Sequence, residues 1–247
     1  MRNIKLILEY DGSRYQGWQR LGDEDSSNTI SGRLSDVICK MTGEKPELIC
    51  GSRTESGVHA YAQTVNFHTS ASLSLREIKN YLNRYLPTDI AVTEAEDMPE
   101  RFHSSMTAAS RTYVYRISVA DVPNVFERKY VYHSFKRPDT DRMRESAALL
   151  KGKHNFQAFS SSKKKKAAPK EVFDIDIYED ASELQISICA SDFLHNMARI
   201  IVSTLLDIGL TLRPVSDIDA IFSGTKKASD PADPKGLFLQ EITYKTL

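Results

Sequence analysis

The sequence predicts an α+β fold made of two halves, and three observations support this. Over residues 4–95, patterns typical of strands and helices follow the order strand, helix, strand, strand, helix, strand, which is the order of the split βαβ motif. From residue 112 onward a second mixture of strands and helices follows. A chain of 247 residues is long enough for two domain-sized halves. We therefore expect halves at residues 1–105 and 106–247, with their sheets joined into one broad, mostly antiparallel sheet. Helices would cover one face, and a cleft would cross the other.

In the first half, the spacing of apolar residues predicts the helices and strands. Apolar residues that recur every three or four positions indicate a helix, and those that alternate with polar residues indicate a strand. The clearest helix begins near Ile30, after the polar pair Asn28-Thr29, and ends at Gly43. The complete prediction is a strand at 4–10, a helix at 30–41, strands near Leu48 and at 61–68, a helix at 75–82 and a strand at 90–95.

The second half contains the strongest helical pattern of the chain. Between Phe193 and Ile208, apolar residues recur at helical spacing over four turns. The complete prediction is a strand at 112–119, a helix at 139–150, a pair of strands at 172–178 and 184–189, helices at 193–208 and 215–222, and a last strand at 237–244.

The charge balance argues against one class of function. Lys plus Arg equals Asp plus Glu at 33 each, whereas a generic binder of polyanions is usually basic overall. RNA binding stays open, because affinity follows the local field of a cleft and not the total charge. The lysine-rich segment Ser160–Lys170 is typical of a solvated loop and would also suit an arm that contacts phosphate.

Cysteine usage and hydropathy favour a cytoplasmic protein without metal. Cys39, Cys50 and Cys189 are widely spaced, and they form neither a disulfide framework nor a zinc-binding pattern. No apolar run approaches the length needed to span a membrane, and the start of the chain lacks the features of a signal peptide.

The loop Gly51–Ala60, read as GSRTESGVHA, is the leading candidate for a reacting group. It places Glu55 two residues after Arg53, between segments that are predicted as strands. A carboxylate near a guanidinium stays ionised and can act as a nucleophile or a base. A surface ion pair with little effect on stability is an equally open interpretation.

Two further elements carry residue types suited to RNA. Arg199 lies at the start of the strongest helix near its apolar stripe, where an arginine needs a partner. It could instead extend its guanidinium to solvent. Arg111, Tyr113 and Tyr115 share one face of a predicted strand and could stack an unpaired base. Tyrosines are also ordinary strand residues.

Taken together, the motifs identify a resemblance to the tRNA pseudouridine synthase A family. The segment SRTESGVHA resembles the signature GRTDxGVHA of that family. Seven more segments resemble the family in the same order along the chain: EYDG at 9–12, GWQ at 17–19, LPTDI at 86–90, FH at 102–103, RTYVYRI at 111–117, FLHNMAR at 193–199 and KGLFL at 235–239.

The resemblance implies two ferredoxin-like halves, a homodimer, no metal and no organic cofactor. It also implies conversion of uridine to pseudouridine in the anticodon arm of tRNA. Glu55 stands at the catalytic aspartate and Arg53 at the arginine of its loop, while Tyr113 stands at the tyrosine that stacks on the target base. Arg199 stands at the arginine that pairs with the catalytic acid. The substrate-binding candidates in the matching motifs are Trp18, Gln19, His59, Phe102, Arg111, Tyr115 and Leu237.

Four polar positions depart from the family pattern. Glu55 replaces aspartate, Ser52 replaces glycine, Ser105 replaces an arginine and Asp233 replaces a proline. Two hypotheses follow: an active synthase with glutamate in the catalytic role, which we favour, or a catalytically impaired paralogue that binds tRNA as a clamp or folding aid. A purely structural dimer partner is disfavoured, because Arg53, Tyr113 and Arg199 are retained.

Overall fold

The computed structural model describes residues 1–19, 28–162 and 168–245, so the lysine run Lys163–Lys166 lies outside the described residues. The chain divides into two compact units. Unit 1 comprises residues 1–111 together with 238–247, and unit 2 comprises residues 112–237. The first boundary lies close to the division expected from the sequence, whereas the last ten residues belong with the first unit.

The described residues form ten strands and five α-helices, and most strand pairs are antiparallel. The predicted α+β class is therefore confirmed. The strands β1 to β10 are Arg2–Tyr10, Ile49–Cys50, His59–Thr69, Ile90–Met98, Ala108–Ser118, Tyr132–His133, Gly152–His154, Lys170–Glu179, Glu183–Ala190 and Leu237–Tyr244. The helices α1 to α5 are Ile30–Thr42, Leu75–Tyr85, Thr140–Leu150, Met197–Gly209 and Asp217–Phe222.

Unit 1 is built on a sheet in the order β4-β1-β3-β10, with the short β2 beside β3. The central strand β1 alternates buried and less buried residues, and Ile4, Leu6 and Leu8 are fully buried. Helix α2 packs on β4, and α1 lies beside α2. Strand β10 pairs parallel to β3, with Leu239 opposite Ala60. This pairing explains why the end of the chain belongs to the first unit.

Unit 2 contains the strands β5-β9-β8-β7 in that order, with β6 parallel to β5. Strands β8 and β9 form the predicted antiparallel pair. Helix α3 packs against both α4 and β8. Helix α4 is buried along most of its length, as its continuous apolar pattern predicts.

The predicted start of α4 at Phe193 is wrong, because the helix begins at Met197. Asn196 has a φ of 61° in the left-handed region and cannot continue a helix backwards. The Met197 N–H donates to the Leu194 carbonyl, which closes a turn over the residues before the helix. Arg199 therefore lies in the first turn of α4. No helix in the described ranges has both the length and the apolar content required to cross a membrane.

Candidate active site

Glu55 lies on the short loop of residues 51–58 that joins β2 to β3. The Val58 N–H donates to the Glu55 carbonyl at 3.2 Å, so Glu55 opens a tight turn. Gly57 within this turn has a φ of 78°, a conformation that other residues rarely adopt. Glu55 is half-buried, whereas Arg53 is exposed. The loop thus presents a partly shielded carboxylate, with an exposed arginine two residues before it.

The start of this loop is fixed to β3 through one side chain. Gln63 on β3 donates from its amide nitrogen to the Ser52 carbonyl at 2.6 Å and accepts from the Ser52 N–H at 3.3 Å. Both contacts use backbone atoms of Ser52, so glycine and serine can make them equally. The departure from the family pattern at Ser52 therefore leaves this anchor intact.

A buried hydroxyl pair fixes the residue directly before Glu55. The Tyr10 hydroxyl and the Thr54 hydroxyl lie 2.7 Å apart, and the Gln63 amide donates to the Tyr10 oxygen at 3.3 Å. Burial raises the pKa of Tyr10 above its ordinary value, more than the hydrogen bonds with Thr54 and Gln63 lower it. The phenol therefore stays neutral and keeps its proton for hydrogen bonding. We call Tyr10, Thr54 and Gln63, with the backbone of Ser52, the loop clamp.

Two glycines let the segment after β1 approach the loop closely. A Cβ on Gly12 would lie 2.0 Å from the Val58 carbonyl oxygen, and one on Gly17 would lie 2.7 Å from the Thr54 carbonyl oxygen. Neither distance is possible for a real side chain, so both positions need glycine. The EYDG and GWQ motifs therefore serve close backbone packing against the loop that carries Glu55.

Trp18 and His59 are buried in unit 1, each with only 1% of its surface exposed. The Trp18 N–H donates to the Thr54 carbonyl at 3.0 Å. The Gly12 N–H lies 3.1 Å from Nδ1 of His59, whose ring stacks on Phe238 at 4.6 Å. These contacts support packing roles for both residues. Gln19 is exposed at the end of the first described segment.

Arg111 supports the loop from β5. Its Nε donates to the Gly51 carbonyl at 3.0 Å, and its terminal nitrogen donates to the Ser105 carbonyl at 2.9 Å. The side chain is 4% exposed. Phe102 is also buried, with its ring 5.1 Å from that of Tyr244. Within unit 1 these contacts stabilise structure, and a contact of either residue with substrate stays a prediction.

In unit 2, β5 places Tyr113 and Tyr115 on one buried face, as their spacing predicts. The Tyr113 ring meets the Phe193 ring edge-on at 4.9 Å. The Tyr115 hydroxyl donates to the Asp233 carbonyl at 2.8 Å, and burial raises its pKa far above the ordinary value. A Cβ on Gly236 would lie 2.8 Å from the Tyr115 ring. Tyr115 thus packs beneath the turn that precedes β10.

Arg199 joins the start of α4 to the same turn. Its Nε donates to the Ala232 carbonyl at 2.6 Å, and a terminal nitrogen donates to Oδ1 of Asn196 at 3.0 Å. The Ala232 N–H donates in return to the Arg199 carbonyl at 3.2 Å. Both acceptors of the Arg199 side chain are uncharged, so these contacts fix the guanidinium without cancelling its charge.

The aspartate that replaces a family proline has a structural role. The Asp233 carboxylate accepts from the Lys235 N–H at 3.1 Å and caps the short turn Pro234–Gly236. Leu237, which follows, is buried at the start of β10. Asp233 therefore serves as the N-cap of this turn.

A family model described as tRNA pseudouridine synthase matches residues 6–105 and 146–245. This chain belongs to that family. It is 40% identical over 247 residues to "tRNA pseudouridine synthase A 2" of Bacillus anthracis, covering 99% of this chain and 100% of the relative. It is 41% identical over 246 residues to "tRNA pseudouridine synthase A" of Bacillus sp. strain KSM-64, with the same coverage. The resemblance drawn from the motifs is confirmed.

Among solved structures, the chain is similar to one titled "Crystal Structure of a Cbf5-Nop10-Gar1 Complex". The sequence identity is 12% and the TM-score is 0.38. The match covers 84% of this chain and 44% of the other.

The residues predicted from family motifs thus form one cluster in each unit of this pseudouridine synthase family member. Unit 1 holds Glu55 with its supporting residues, and unit 2 holds Arg199 with Tyr115. In the described parts of the chain, no three His, Cys, Asp or Glu side chains are grouped so that they could hold a metal ion.

Sequence reasoning missed the residues that position these groups. Gln63 and Asn66 are polar residues buried within β3, beside the apolar Val65 and Phe67. A buried amide must find hydrogen-bond partners. This pattern in the sequence could have marked Gln63 as a residue that holds something in place. Nothing in the sequence indicates Tyr10 as its partner.

Proposed function

We propose that this chain is an active tRNA pseudouridine synthase that isomerises uridine in the anticodon stem-loop, with Glu55 as the reacting carboxylate. The observation that carries the proposal is the loop clamp, which binds the backbone N–H and carbonyl of Ser52 and the side-chain hydroxyl of Thr54. An exposed carboxylate without a function does not require the loop before it to be held by buried hydrogen bonds. The family match over nearly the whole chain supplies the reaction.

The proposed reaction moves a base on its own sugar. The N-glycosidic bond between N1 and C1′ breaks, the freed uracil turns within the site, and a bond between C5 and C1′ rejoins it to the ribose. C5 loses a proton and N1 gains one, so the product has the same atoms as the substrate. Glu55 acts at the sugar, as a nucleophile at C1′ or as a base at C2′. The target nucleotide must first leave the stack of bases. Tyr113, Arg53 and Arg199 keep the roles that the resemblance implies.

The partners in this proposal are tRNA and a second copy of the chain, in the cytoplasm. No cofactor takes part, because the isomerisation is neutral in electrons and needs no group donor. Basic side chains beside the candidate site hold the RNA backbone while the base is turned.

The extra methylene group of Glu55, compared with aspartate, is expected to lower the rate of the reaction. The loop clamp holds the backbone, so glutamate carries its carboxylate about 1 Å farther than aspartate would, unless its side chain folds back. A misplacement of this size costs about 100-fold in rate, or about 2.7 kcal/mol. We expect a working but slow enzyme.

Pseudouridine mapping on unmodified tRNA transcripts tests the proposal. We expect the native protein to form pseudouridine within the anticodon arm under multiple-turnover conditions. A native protein that binds tRNA but forms no pseudouridine, together with an active Glu55→Asp variant, would instead support the clamp or folding-aid hypothesis. Modification confined to another arm would contradict the proposed target.

Tyr10→Phe is expected to lower kcat by about 10- to 100-fold and to leave the affinity for tRNA unchanged. The variant keeps the buried ring and removes only the hydroxyl that holds Thr54, so the loop before Glu55 is free to shift. Single-turnover rates at saturating enzyme, compared with equilibrium tRNA binding, measure the two effects separately.

Thr54→Ser is the matched control for this prediction. Serine keeps the hydroxyl that faces Tyr10, so its single-turnover rate should stay within about threefold of the native rate, well below the loss expected of Tyr10→Phe. If Tyr10→Phe lowers kcat and tRNA affinity equally, the loop clamp supports folding in general and not the position of Glu55.

A further inference from the structure

Unit 1 contains an open cavity of about 410 Å³ that the reaction described above does not use. We propose that this cavity binds a backbone phosphate of the tRNA substrate, an inference that rests on the proposed function. The residues that line it are Arg14, Tyr15, Asn28, Arg33 and Pro87. Guanidinium groups bind phosphate with planar, paired hydrogen bonds, so two arginines in one cavity suit this ligand.

One arginine of the cavity is already paired with a carboxylate. Arg14 donates from Nε and a terminal nitrogen to one oxygen of Asp89, at 3.0 and 2.5 Å. The Tyr15 hydroxyl donates to the other oxygen at 2.6 Å. Burial alone would raise the pKa of Asp89, but the hydrogen bonds from Tyr15 and Arg14 outweigh it and leave the pKa lowered. Asp89 is therefore ionised and balances Arg14.

Arg33 supplies the guanidinium that is open to a ligand. Across residues 1–19, 28–162 and 168–245, no hydrogen bond or ion pair is found for its side chain. It lies close enough to Tyr15 to lower the pKa of the phenol, although burial and Asp89 raise that pKa to about 12. Two guanidinium groups therefore line the cavity, and its described lining residues include no carboxylate, while Asp89 and Asp11 both act on Arg14 from outside the lining.

The frame of the cavity is rigid on the side of Arg14. Asn28 donates from its amide to the Arg14 carbonyl at 2.6 Å, and the Gln16 N–H donates to the Asn28 carbonyl at 3.0 Å. These bonds hold the two arginine-bearing segments together. A site that is formed before the ligand arrives loses less entropy on binding.

The cavity is also connected to the loop that carries Glu55. The Tyr15 carbonyl accepts from the Gly57 N–H at 3.3 Å and from the Ser56 hydroxyl at 3.2 Å. Tyr15 thus lines the cavity with its side chain and holds the catalytic turn with its backbone. A phosphate in the cavity would contact a residue, Tyr15, whose backbone binds the turn after Glu55. The backbone of a flipped nucleotide has to be fixed near the reacting group.

A second cavity, of about 270 Å³ in unit 2, lacks these features. Its lining includes Glu127 and Glu183 beside Arg128 and Lys235. Arg116 nearby is already paired with both glutamates. Its lining thus holds two carboxylates, and Lys235 is paired with Asp233 at 3.4 Å, so this cavity suits a phosphate less than the first, whose described lining has no carboxylate.

Salt-dependent binding of unmodified tRNA tests the inference. We expect Arg33→Gln to weaken binding and to reduce the slope of log K against log salt by about 0.7 to 0.9, as the loss of one phosphate contact predicts. Arg33→Lys keeps the charge and should keep the native slope. Arg76→Gln, which removes an exposed arginine on α2, is the matched control and should also keep it.

The outcomes separate this inference from the proposed function. A native protein that binds no tRNA would overturn both. A native protein that binds and modifies tRNA, with the same slope in Arg33→Gln as in the native protein, would overturn the phosphate site alone. A loss of slope in Arg33→Lys equal to that in Arg33→Gln would show a packing effect and would also overturn it.

Discussion

Replacing Glu55 with glutamine is expected to lower the rate of pseudouridine formation by roughly 10²- to 10⁴-fold. Glutamine has the size of glutamate and can accept hydrogen bonds from the same neighbours, but it can act neither as a nucleophile at the sugar nor as a base. Because Glu55 is only half-buried, the substitution should leave the folded structure unchanged. Single-turnover kinetics on a tRNA transcript would measure the loss.

The control for Glu55→Gln is the same change at Glu100, an exposed residue in the turn after β4. Glu100→Gln should keep the native rate, and both variants should bind tRNA within about threefold of the native affinity. Removal of one negative charge changes the affinity for RNA only slightly when the group is not a phosphate contact. A Glu55→Gln protein with more than about a tenth of the native rate would contradict a catalytic role for this carboxylate.

Sequence periodicity predicted the elements well wherever local spacing decides them. Strand β10 has the predicted bounds, and Arg111, Tyr113 and Tyr115 share one buried face of β5 as their alternation requires. These features depend on the repeat of a strand and on nothing distant in the chain. The start of α4 depends instead on the left-handed conformation of Asn196, which no helical repeat reveals.

The roles of the motif residues were harder to predict than their positions. A motif shows that residues act together, but it does not show which of them faces the ligand. Arg111 faces two carbonyl groups, of Gly51 and Ser105, and Tyr115 supports a turn. The loop clamp joins Tyr10 to Gln63, which are 53 positions apart in the chain. A contact between distant residues is set by the register of strands, and one sequence alone does not give that register.

Trp18 provides the clearest test of whether a motif residue packs inside the fold or contacts RNA. We expect Trp18→Ala to lower the free energy of unfolding by about 3–5 kcal/mol, because a fully buried aromatic side chain leaves a cavity when it is removed. If Trp18 instead served mainly to contact RNA, the variant would unfold as the native protein does and would lose only tRNA affinity. Since Trp18 is the single tryptophan of the chain, unfolding should be followed by circular dichroism and not by fluorescence.

Phe126→Ala is the matched control, because this aromatic side chain is 90% exposed and its removal should change stability by no more than about 0.5 kcal/mol. Trp18→Phe should recover part of the lost stability, since it refills part of the space. The hydrogen bond to the Thr54 carbonyl comes from the backbone N–H of residue 18, so every variant keeps it. Activity in Trp18→Phe should therefore follow stability. A Trp18→Phe protein with native stability and no tRNA binding would assign the indole to substrate contact.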